Sequence, residues 1–341
     1  MKEIARRETL QAVAGLLSAA VVGTVAGRRT SAPPAALDAV PATADAVVDA
    51  NVDALRRDDG MRTLTTAALQ QRAQYQSGEA ADGPRTADAL LADVETEFDA
   101  DPAKVHRAVA FGDVGSAGDE LFDGYAGVVL GAELSAEAVK SGIENIDDVA
   151  FDELHESGTV VYEPDTADGP WVGALGSNRV VVGTEAAVYD VVDVTNGETA
   201  AVGGPVGDAY ADTRDGRLRF AGRLPDPSDD GAVPRSVGDA GQSIDLSPLG
   251  SVTTLAGAVY RDGDVRGLSA TLSAADAAAA RDVARVVRKL RERAEAELRD
   301  DAVADLVGGV AVERDGATVS TSVERTVGEL QSLVDGGRAS Y

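Results

Sequence analysis

Apolar residues recur along this chain in two spacings, one typical of strands and one typical of helices. Alternation of apolar and polar residues predicts a strand over 44–55, and apolar residues three and four apart predict helices at 61–75 and 86–98. The polar, glycine-containing residues 76–84 predict a loop between these helices. The start of the body is therefore predicted as one strand followed by two helices.

From residue 105 onward, one set of elements is predicted twice. The first copy has strands at 105–113 and 125–133, a helix at 135–146, strands at 159–163, 170–175 and 179–183, and a helix at 185–194. The second copy has strands at 252–261 and 265–272, a helix at 274–298, strands at 309–314 and 317–323, and a helix at 326–334. Lead-in strands are predicted at 46–55 and 217–224. We therefore predict an α+β fold of two tandem β-β-α-β-β-α repeats, each an antiparallel sheet backed by helices, with an extra strand in the first.

Two hairpins and one long helix are predicted in the second copy. Asp262-Gly263 and Asp315-Gly316 each separate two predicted strands, and Asp-Gly is a strong signal for a tight hairpin. Ser273 and the acidic residue three positions later have the spacing of a capping box at the start of the helix over 274–298. Most arginines of that helix lie opposite its apolar stripe. We interpret this arginine-rich face as solvated; docking of an acidic partner or of lipid headgroups is the alternative.

The first 29 residues differ from the rest of the chain in charge and hydropathy. An arginine pair precedes an apolar run over 10–27, and a second arginine pair follows it. The run is about as long as a short membrane-spanning helix, roughly 17–25 residues, and the same plan is typical of an export signal. We predict a signal or membrane-anchor segment over 1–29, and its candidate residues are Arg6, Arg7, Leu10, Leu16, Leu17, Val21, Val22 and Ala26.

Three properties of this leader stay open in the sequence. Arg6-Arg7 is similar to a twin-arginine signal, but Thr9 stands where that motif has an apolar residue, so the export pathway is not defined. The small residues up to Ala26 are compatible with cleavage, and a retained helix would anchor the chain in the membrane. A buried or frayed amphipathic helix is the alternative to export.

The predicted organisation of the chain follows from these segments. A Pro/Ala tether occupies 30–43, the first α+β repeat with a helical insertion occupies 44–214, and the second repeat occupies 215–341.

The body is strongly acidic, which bears on its partners and its solvent. The chain has 58 Asp and Glu against 31 Lys and Arg, a net charge of −27, and only four of its basic residues are lysines. Such a charge destabilises a compact state by self-repulsion. At about 1 M salt the Debye length falls to about 3 Å, which screens most of that repulsion. We expect a body adapted to salt, with an acidic mesophilic secreted protein as the alternative. In either case the body should repel nucleic acid and anionic lipid headgroups.

Few residues indicate catalytic chemistry. The chain has no cysteine, which excludes disulfides and thiolate sites. Its two histidines, His106 and His155, lack zinc-site spacing. No catalytic, cofactor-binding or metal residue is assigned. Four aromatic residues fall in the first copy, and we interpret them as cross-strand core pairs, with a ligand pocket as the alternative. They are Tyr125, Tyr162, Trp171 and Tyr189.

The chain resembles a group of exported or membrane-anchored proteins of haloarchaea. The resemblance rests on LDAVPATADAVVDANVDAL at 37–55, DGPWVGALGSNRVVVGTEAAVYDVVDV at 168–194 and GDAYADTRDGRLRFAGRLP at 207–225. It implies a location outside the cell and a repeated body, and it implies no activity. Many members carry a lipid-anchoring cysteine after the leader, which this chain lacks.

These observations favour a non-catalytic module on the outer face of the cell membrane. Its partners would be the membrane, if the leader is retained, and a protein or small ligand. A carrier of lipids or other hydrophobic ligands is the first alternative and predicts an apolar cavity of several hundred Å³. A carboxylate-dependent hydrolase is the second and predicts two carboxylates with opposed pKa shifts.

Overall fold

A computed structural model describes residues 36–75, 85–89, 92, 101–113, 124–144, 149–167, 169–176, 178–224, 236–237, 243–298 and 301–336. The leader, its eight candidate residues and residues 30–35 of the predicted tether lie outside these ranges. Residues 36–43 belong to the packed body, where Leu37 and Val40 are buried, so the predicted tether is too long. The described residues fall into two compact units, 36–203 and 204–336. The units divide between Gly203 and Gly204, ahead of the boundary that the sequence predicts after residue 214.

Unit 1 is built on an antiparallel sheet of seven strands. In chain order they are β1 (Ala46–Ala50), β2 (Val105–Gly112), β3 (Ala126–Ala132), β4 (Phe151–Glu156), β5 (Thr159–Pro164), β6 (Trp171–Gly176) and β7 (Arg179–Gly183). Their order in the sheet is β1-β2-β3-β7-β6-β5-β4, and every neighbouring pair is antiparallel. Strand β3 therefore pairs with β7, the last strand of the unit in chain order.

Helices cover both faces of the β5–β7 part of this sheet. The helices of unit 1 are α1 (Val52–Arg56), α2 (Asp59–Tyr75), α3 (Ala136–Glu144) and α4 (Glu185–Asn196). Val172 of β6 packs with Val139 and Ile143 of α3. The next residue, Gly173, faces the opposite way, and a Cβ there would lie 3.3 Å from Val188 of α4. Neighbouring strand residues point to opposite faces, so one strand contributes to two cores.

Unit 2 is built on an antiparallel sheet of five strands. These are β8 (Leu218–Arg223), β11 (Val252–Asp262), β12 (Val265–Ala274), β13 (Ala311–Asp315) and β14 (Thr318–Thr326), in the order β8-β11-β12-β14-β13. A short separate pair consists of β9 (Ser236–Val237) and β10 (Ile244–Asp245). The helices are α5 (Gly204–Ala211), α6 (Ala277–Glu297), α7 (Asp301–Gly308) and α8 (Val327–Gly336).

The long helix α6 supplies the main core of unit 2. Val283 is fully buried and packs in a cluster with Val252 of β11 and Val319 of β14. Asp276 is the N-cap, because its carboxylate accepts from the backbone N–H groups of Ala278 and Ala279 at 2.7 and 2.8 Å. The capping box predicted from Ser273 is therefore wrong: β12 extends through Ala274, and the helix begins later than predicted.

The coarse prediction of an α+β protein with antiparallel sheets and helices is confirmed. Both predicted Asp-Gly hairpins are present, and positive φ angles at Gly263 and Gly316, 57° and 52°, show why glycine follows aspartate there. The single strand predicted over 44–55 is wrong. The strand ends at Ala50, and Asn51 accepts from the N–H of Ala54 at 2.9 Å to start helix α1.

The structure adds elements that the apolar pattern did not predict. Strand β4 has only two partly buried positions, Phe151 and Leu154, because it pairs with a neighbour on one side only. Helices α5 and α7 were not predicted either. No helix within the described ranges is long and apolar enough to cross a membrane.

Candidate functional site

A polar pocket lies in unit 1, where three segments meet. Its volume is about 350 Å³, and its lining residues are Asp53, Arg56, Arg57, Arg62, Asp88 and Ala103. Helix α1 and the start of α2 contribute all three arginines. The helical residues 87–89 contribute Asp88, and a single 3₁₀ turn, Pro102–Lys104, contributes Ala103.

The corner between α1 and α2 holds the arginines in place. Asp58 lies between the two helices, is fully buried, and accepts from the N–H of Met61 at 3.2 Å. The N–H of Arg57 donates to the carbonyls of Asp53 and Leu55, which ends α1. The guanidinium groups therefore extend from a fixed backbone corner and not from a loop.

Side-chain hydrogen bonds bring the acidic part of the pocket to this corner. Ala87 donates its N–H to the Thr66 hydroxyl of α2 at 3.1 Å, and Ala89 donates to Thr86 at 3.0 Å. These bonds position Asp88 opposite α2. Arg62 Nη2 donates to both carboxylate oxygens of Asp88, at 2.6 and 2.8 Å.

The ion pairs of the pocket are exposed to solvent. Arg57 Nη2 lies 2.7 Å from Asp53 Oδ2, and the two side chains are 75% and 33% exposed. Arg62 and Asp88 are 42% and 69% exposed. Exposed pairs of this kind contribute about 0–1 kcal/mol each to stability. The lining has three arginines and two aspartates, and a third carboxylate, that of Asp59, lies 3.8 Å from Arg62, so acidic side chains match the arginines in number.

The sequence analysis did not identify this pocket. Arg56 and Arg57 follow the strand predicted over 44–55 and were assigned to no element, so they were not placed beside Arg62. Composition gave no signal either, because three arginines within seven residues also occur at 214–219 and 285–291. A helical corner after Asn51 would have placed them together.

A second polar cluster joins the start of unit 1 to helix α4. The hydroxyls of Thr43 and Tyr125 both bond to Asp190 Oδ2, at 3.0 and 2.8 Å, and lie 2.6 Å from each other. Burial raises the pKa of Tyr125 strongly, and the carboxylate of Asp190 adds to the increase. All three side chains are satisfied by one another, so we interpret the cluster as a structural tie.

A third cluster, in unit 2, combines a buried tyrosine with a carboxylate and an arginine. Tyr260 is 3% exposed and donates to Glu324 Oε1 at 2.6 Å, and the Arg214 guanidinium lies 3.6 Å from the ring centroid. Gly267, opposite Tyr260 on β12, leaves space for the ring, because a Cβ there would overlap it. Burial, followed by the hydrogen bond to Glu324, raises the pKa of Tyr260 to about 12.

We expect Tyr260 to lose its proton at a higher pH than an unfolded tyrosine does. The free energy of unfolding should therefore fall at high pH. An unfolded tyrosine ionises near pH 10, so between about pH 10 and 12 the folded state binds the proton more tightly than the unfolded state does. The contribution is fully present below pH 10 and is lost as pH rises toward 12. The difference in phenolate absorbance between the chain and Tyr260→Phe measures this pKa. Glu324→Gln should lower it toward 10; an unchanged value would show that Glu324 does not affect it.

The four aromatic residues of the first copy do not form one pocket. Trp171 lies against Tyr189 of α4 with ring centroids 5.6 Å apart, and Tyr125 lies against Phe111 at 6.1 Å. Tyr162 is buried beneath α3. The shared ligand pocket considered as an alternative is wrong. A cross-strand pair is also wrong for Trp171, because its partner Tyr189 belongs to a helix.

The arginine-rich face of α6 makes internal hydrogen bonds. Arg291 donates to the carbonyl of Val310 at 3.0 Å, and Arg288 donates to that of Val312 at 3.4 Å. Arg285 lies 2.9 Å from Asp282 on the same helix. These contacts connect α6 to β13 and the residue before it, which agrees with a solvated structural face. Docking of an acidic partner there stays a prediction.

The histidines are exposed. His106 is on β2, and His155 is on the outer strand β4, where its Nε2 lies 3.5 Å from Glu153 Oε1. Within the described ranges, no carboxylate with a raised pKa lies beside a carboxylate with a lowered pKa. Burial, followed by Asp45, raises the pKa of Asp113, whereas hydrogen bonds lower the pKa of Glu153, Asp245, Asp276 and Glu329 at separate places.

No protein family and no curated protein matches the chain. Three solved structures of TP0453 are similar: crystal form III has 9% identity and a TM-score of 0.45, form I has 9% and 0.43, and form IV has 8% and 0.44. The alignments cover 90–91% of this chain and 97–99% of those chains. Because these TM-scores are below 0.5, we transfer neither a fold nor a function from them.

Proposed function

We propose that this chain is an exported, non-catalytic binding module of the cell envelope and that the arginine pocket is its binding site. The observation that carries the proposal is the chemistry of that pocket. Guanidinium groups stay protonated at physiological pH and have no acceptor, so they bind anions and do not transfer protons. The two aspartates of the lining are engaged by Arg57 and Arg62.

The leader supports the envelope location. Arginine pairs bracket an apolar run, and an acidic body follows it, which is the arrangement expected of a chain that leaves the cytoplasm. We propose that 1–29 is either removed after export or retained as a membrane anchor. The acidic body would then face a salty exterior.

A duplication of the body is part of this proposal. In unit 1 the order β1-β2-β3-β7-β6 matches the order β8-β11-β12-β14-β13 in unit 2. In both units a helix follows the third of these strands, and a helix follows the strand that pairs with it. The extra hairpin of unit 1, β4 and β5, continues the sheet beyond β6. This correspondence supports two copies of one topology.

The alternatives gain no support from the site. A carrier of hydrophobic ligands needs an apolar cavity, and the pocket described here is lined mainly by charged groups. A hydrolase that uses carboxylates needs a pair with opposed pKa values at one place. Neither feature is present at the pocket.

Protease added to intact cells tests the location. A C-terminally tagged full chain should be digested from outside, and a chain that lacks residues 1–29 should stay protected inside. Arg6→Lys together with Arg7→Lys keeps the charge and tests whether the arginine pair itself is required. A full chain that stays protected in intact cells and becomes digestible only after lysis would contradict export.

A further inference from the structure

We propose that Arg56, Arg57 and Arg62 bind the phosphate group of a small molecule. This inference names the ligand class of the site and rests on the binding role proposed above. The three arginines line one pocket of about 350 Å³, which lies at the lower end of the size range of small-molecule sites. Arginine suits this task because its planar group donates two parallel hydrogen bonds to one oxyanion.

The aspartates of the pocket occupy the positions that a ligand would take. Asp53 and Asp88 bond to Arg57 and Arg62 through carboxylate oxygens, at 2.6 to 2.8 Å. Both pairs are exposed, so each is worth little, and either carboxylate can turn into solvent when an anion arrives. The carboxylates stay attached to the chain when they turn aside, so a bound phosphate adds negative charge to the site. Its charge-assisted hydrogen bonds to the guanidinium groups must offset that repulsion.

Phosphate fits the site better than a monocarboxylate because three guanidinium groups line it. One carboxylate offers two oxygens, which a single bidentate guanidinium satisfies. A terminal phosphate offers three oxygens and a charge near −2, enough for more than one arginine.

The test is calorimetric titration of the full chain with inorganic phosphate and glycerol 3-phosphate, and with succinate for comparison. We expect phosphate compounds to bind and succinate to bind more weakly. Arg57→Gln and Arg62→Gln should each weaken phosphate binding about tenfold, since each removes charge-assisted hydrogen bonds. Arg285→Gln is the matched control: it removes one exposed arginine paired within one turn of a helix, and it should leave binding unchanged.

A variant that is expected to strengthen phosphate binding distinguishes a binding role of the pocket from a purely structural one. Asp88→Asn removes a competing carboxylate and keeps the side-chain shape, so phosphate should bind more tightly than to the unaltered chain. A role limited to structural support predicts no gain from this change. Phosphate binding that Arg57→Gln and Arg62→Gln do not weaken, or tighter binding of succinate than of phosphate, would overturn the proposal.

Vesicles distinguish a lipid headgroup from a free metabolite. Phosphatidic acid presents a terminal phosphate, whereas phosphatidylglycerol presents a diester of the same sign. Flotation with phosphatidic acid vesicles alone, lost in Arg62→Gln, would assign the site to a headgroup. Binding of glycerol 3-phosphate without flotation would assign it to a free molecule. Absence of both would overturn the proposal even if the chain is exported, and binding by a chain that stays inside cells would contradict only the location.

Discussion

Val283→Asp is expected to lower the free energy of unfolding of unit 2 by about 3–5 kcal/mol, because it places an uncompensated charge in a closed core. Val283 is fully buried between α6 and the sheet, among Val252, Ala280 and Val319. The described neighbours in this cluster are apolar and offer no partner for a carboxylate. For a unit of this size the thermal midpoint should fall by about 10 °C or more, measured by circular dichroism.

Ala278→Asp is the matched control for this prediction. It introduces the same side chain and the same charge on the same helix, at an exposed position in the first turn. An acidic residue there interacts favourably with the helix dipole, so stability should be unchanged or slightly higher. If both variants lose stability equally, added negative charge and not burial is the cause, and the assigned core of α6 is wrong.

Salt is expected to stabilise the whole chain strongly. The net charge of −27 destabilises the folded state through self-repulsion, and about 2 M salt screens this repulsion at short range. If that repulsion is about 5 kcal/mol, the thermal midpoint of a chain of this length rises by about 5–10 °C between about 0.1 M and 2 M sodium chloride. Thermal denaturation at a series of salt concentrations measures the slope of the thermal midpoint against salt concentration.

A neutralised variant shows whether the slope comes from charge. Four exposed carboxylates on both units can be replaced together, as Asp152→Asn, Glu156→Gln, Asp208→Asn and Glu313→Gln. This variant should be more stable at low salt and less dependent on salt. A slope equal to that of the unaltered chain would indicate a general effect of salt on burial instead.

The sheets were largely predictable because strands that are buried on both faces show as short continuous apolar runs. Val180 and Val181 on β7 are both buried, on opposite faces, and the strand was predicted with its observed bounds. Strand β4 was missed because an outer strand needs few apolar residues. Helix α1 was missed because five residues are too few to show helical spacing, and only the N-cap Asn51 marks its start.

The pocket could not be predicted because tertiary contacts create it. Arg62 and Asp88 are 26 residues apart, and the bond from Ala87 to Thr66 brings them together. Sequence spacing carries no signal for such a contact. The Tyr260 cluster is similar: Glu324 lies 64 residues away, and the register of β11, β12 and β14 places it next to the ring.

Mass spectrometry of the protein purified from native membranes in high salt tests the central claim most directly. One spectrum under native conditions reports the fate of the leader and any bound small molecule. We predict protein from the envelope fraction, with residues 1–26 removed or retained, that carries a phosphorylated molecule absent from the Arg57→Gln and Arg62→Gln variants. Full-length protein recovered from the cytosol with no bound molecule would contradict the account.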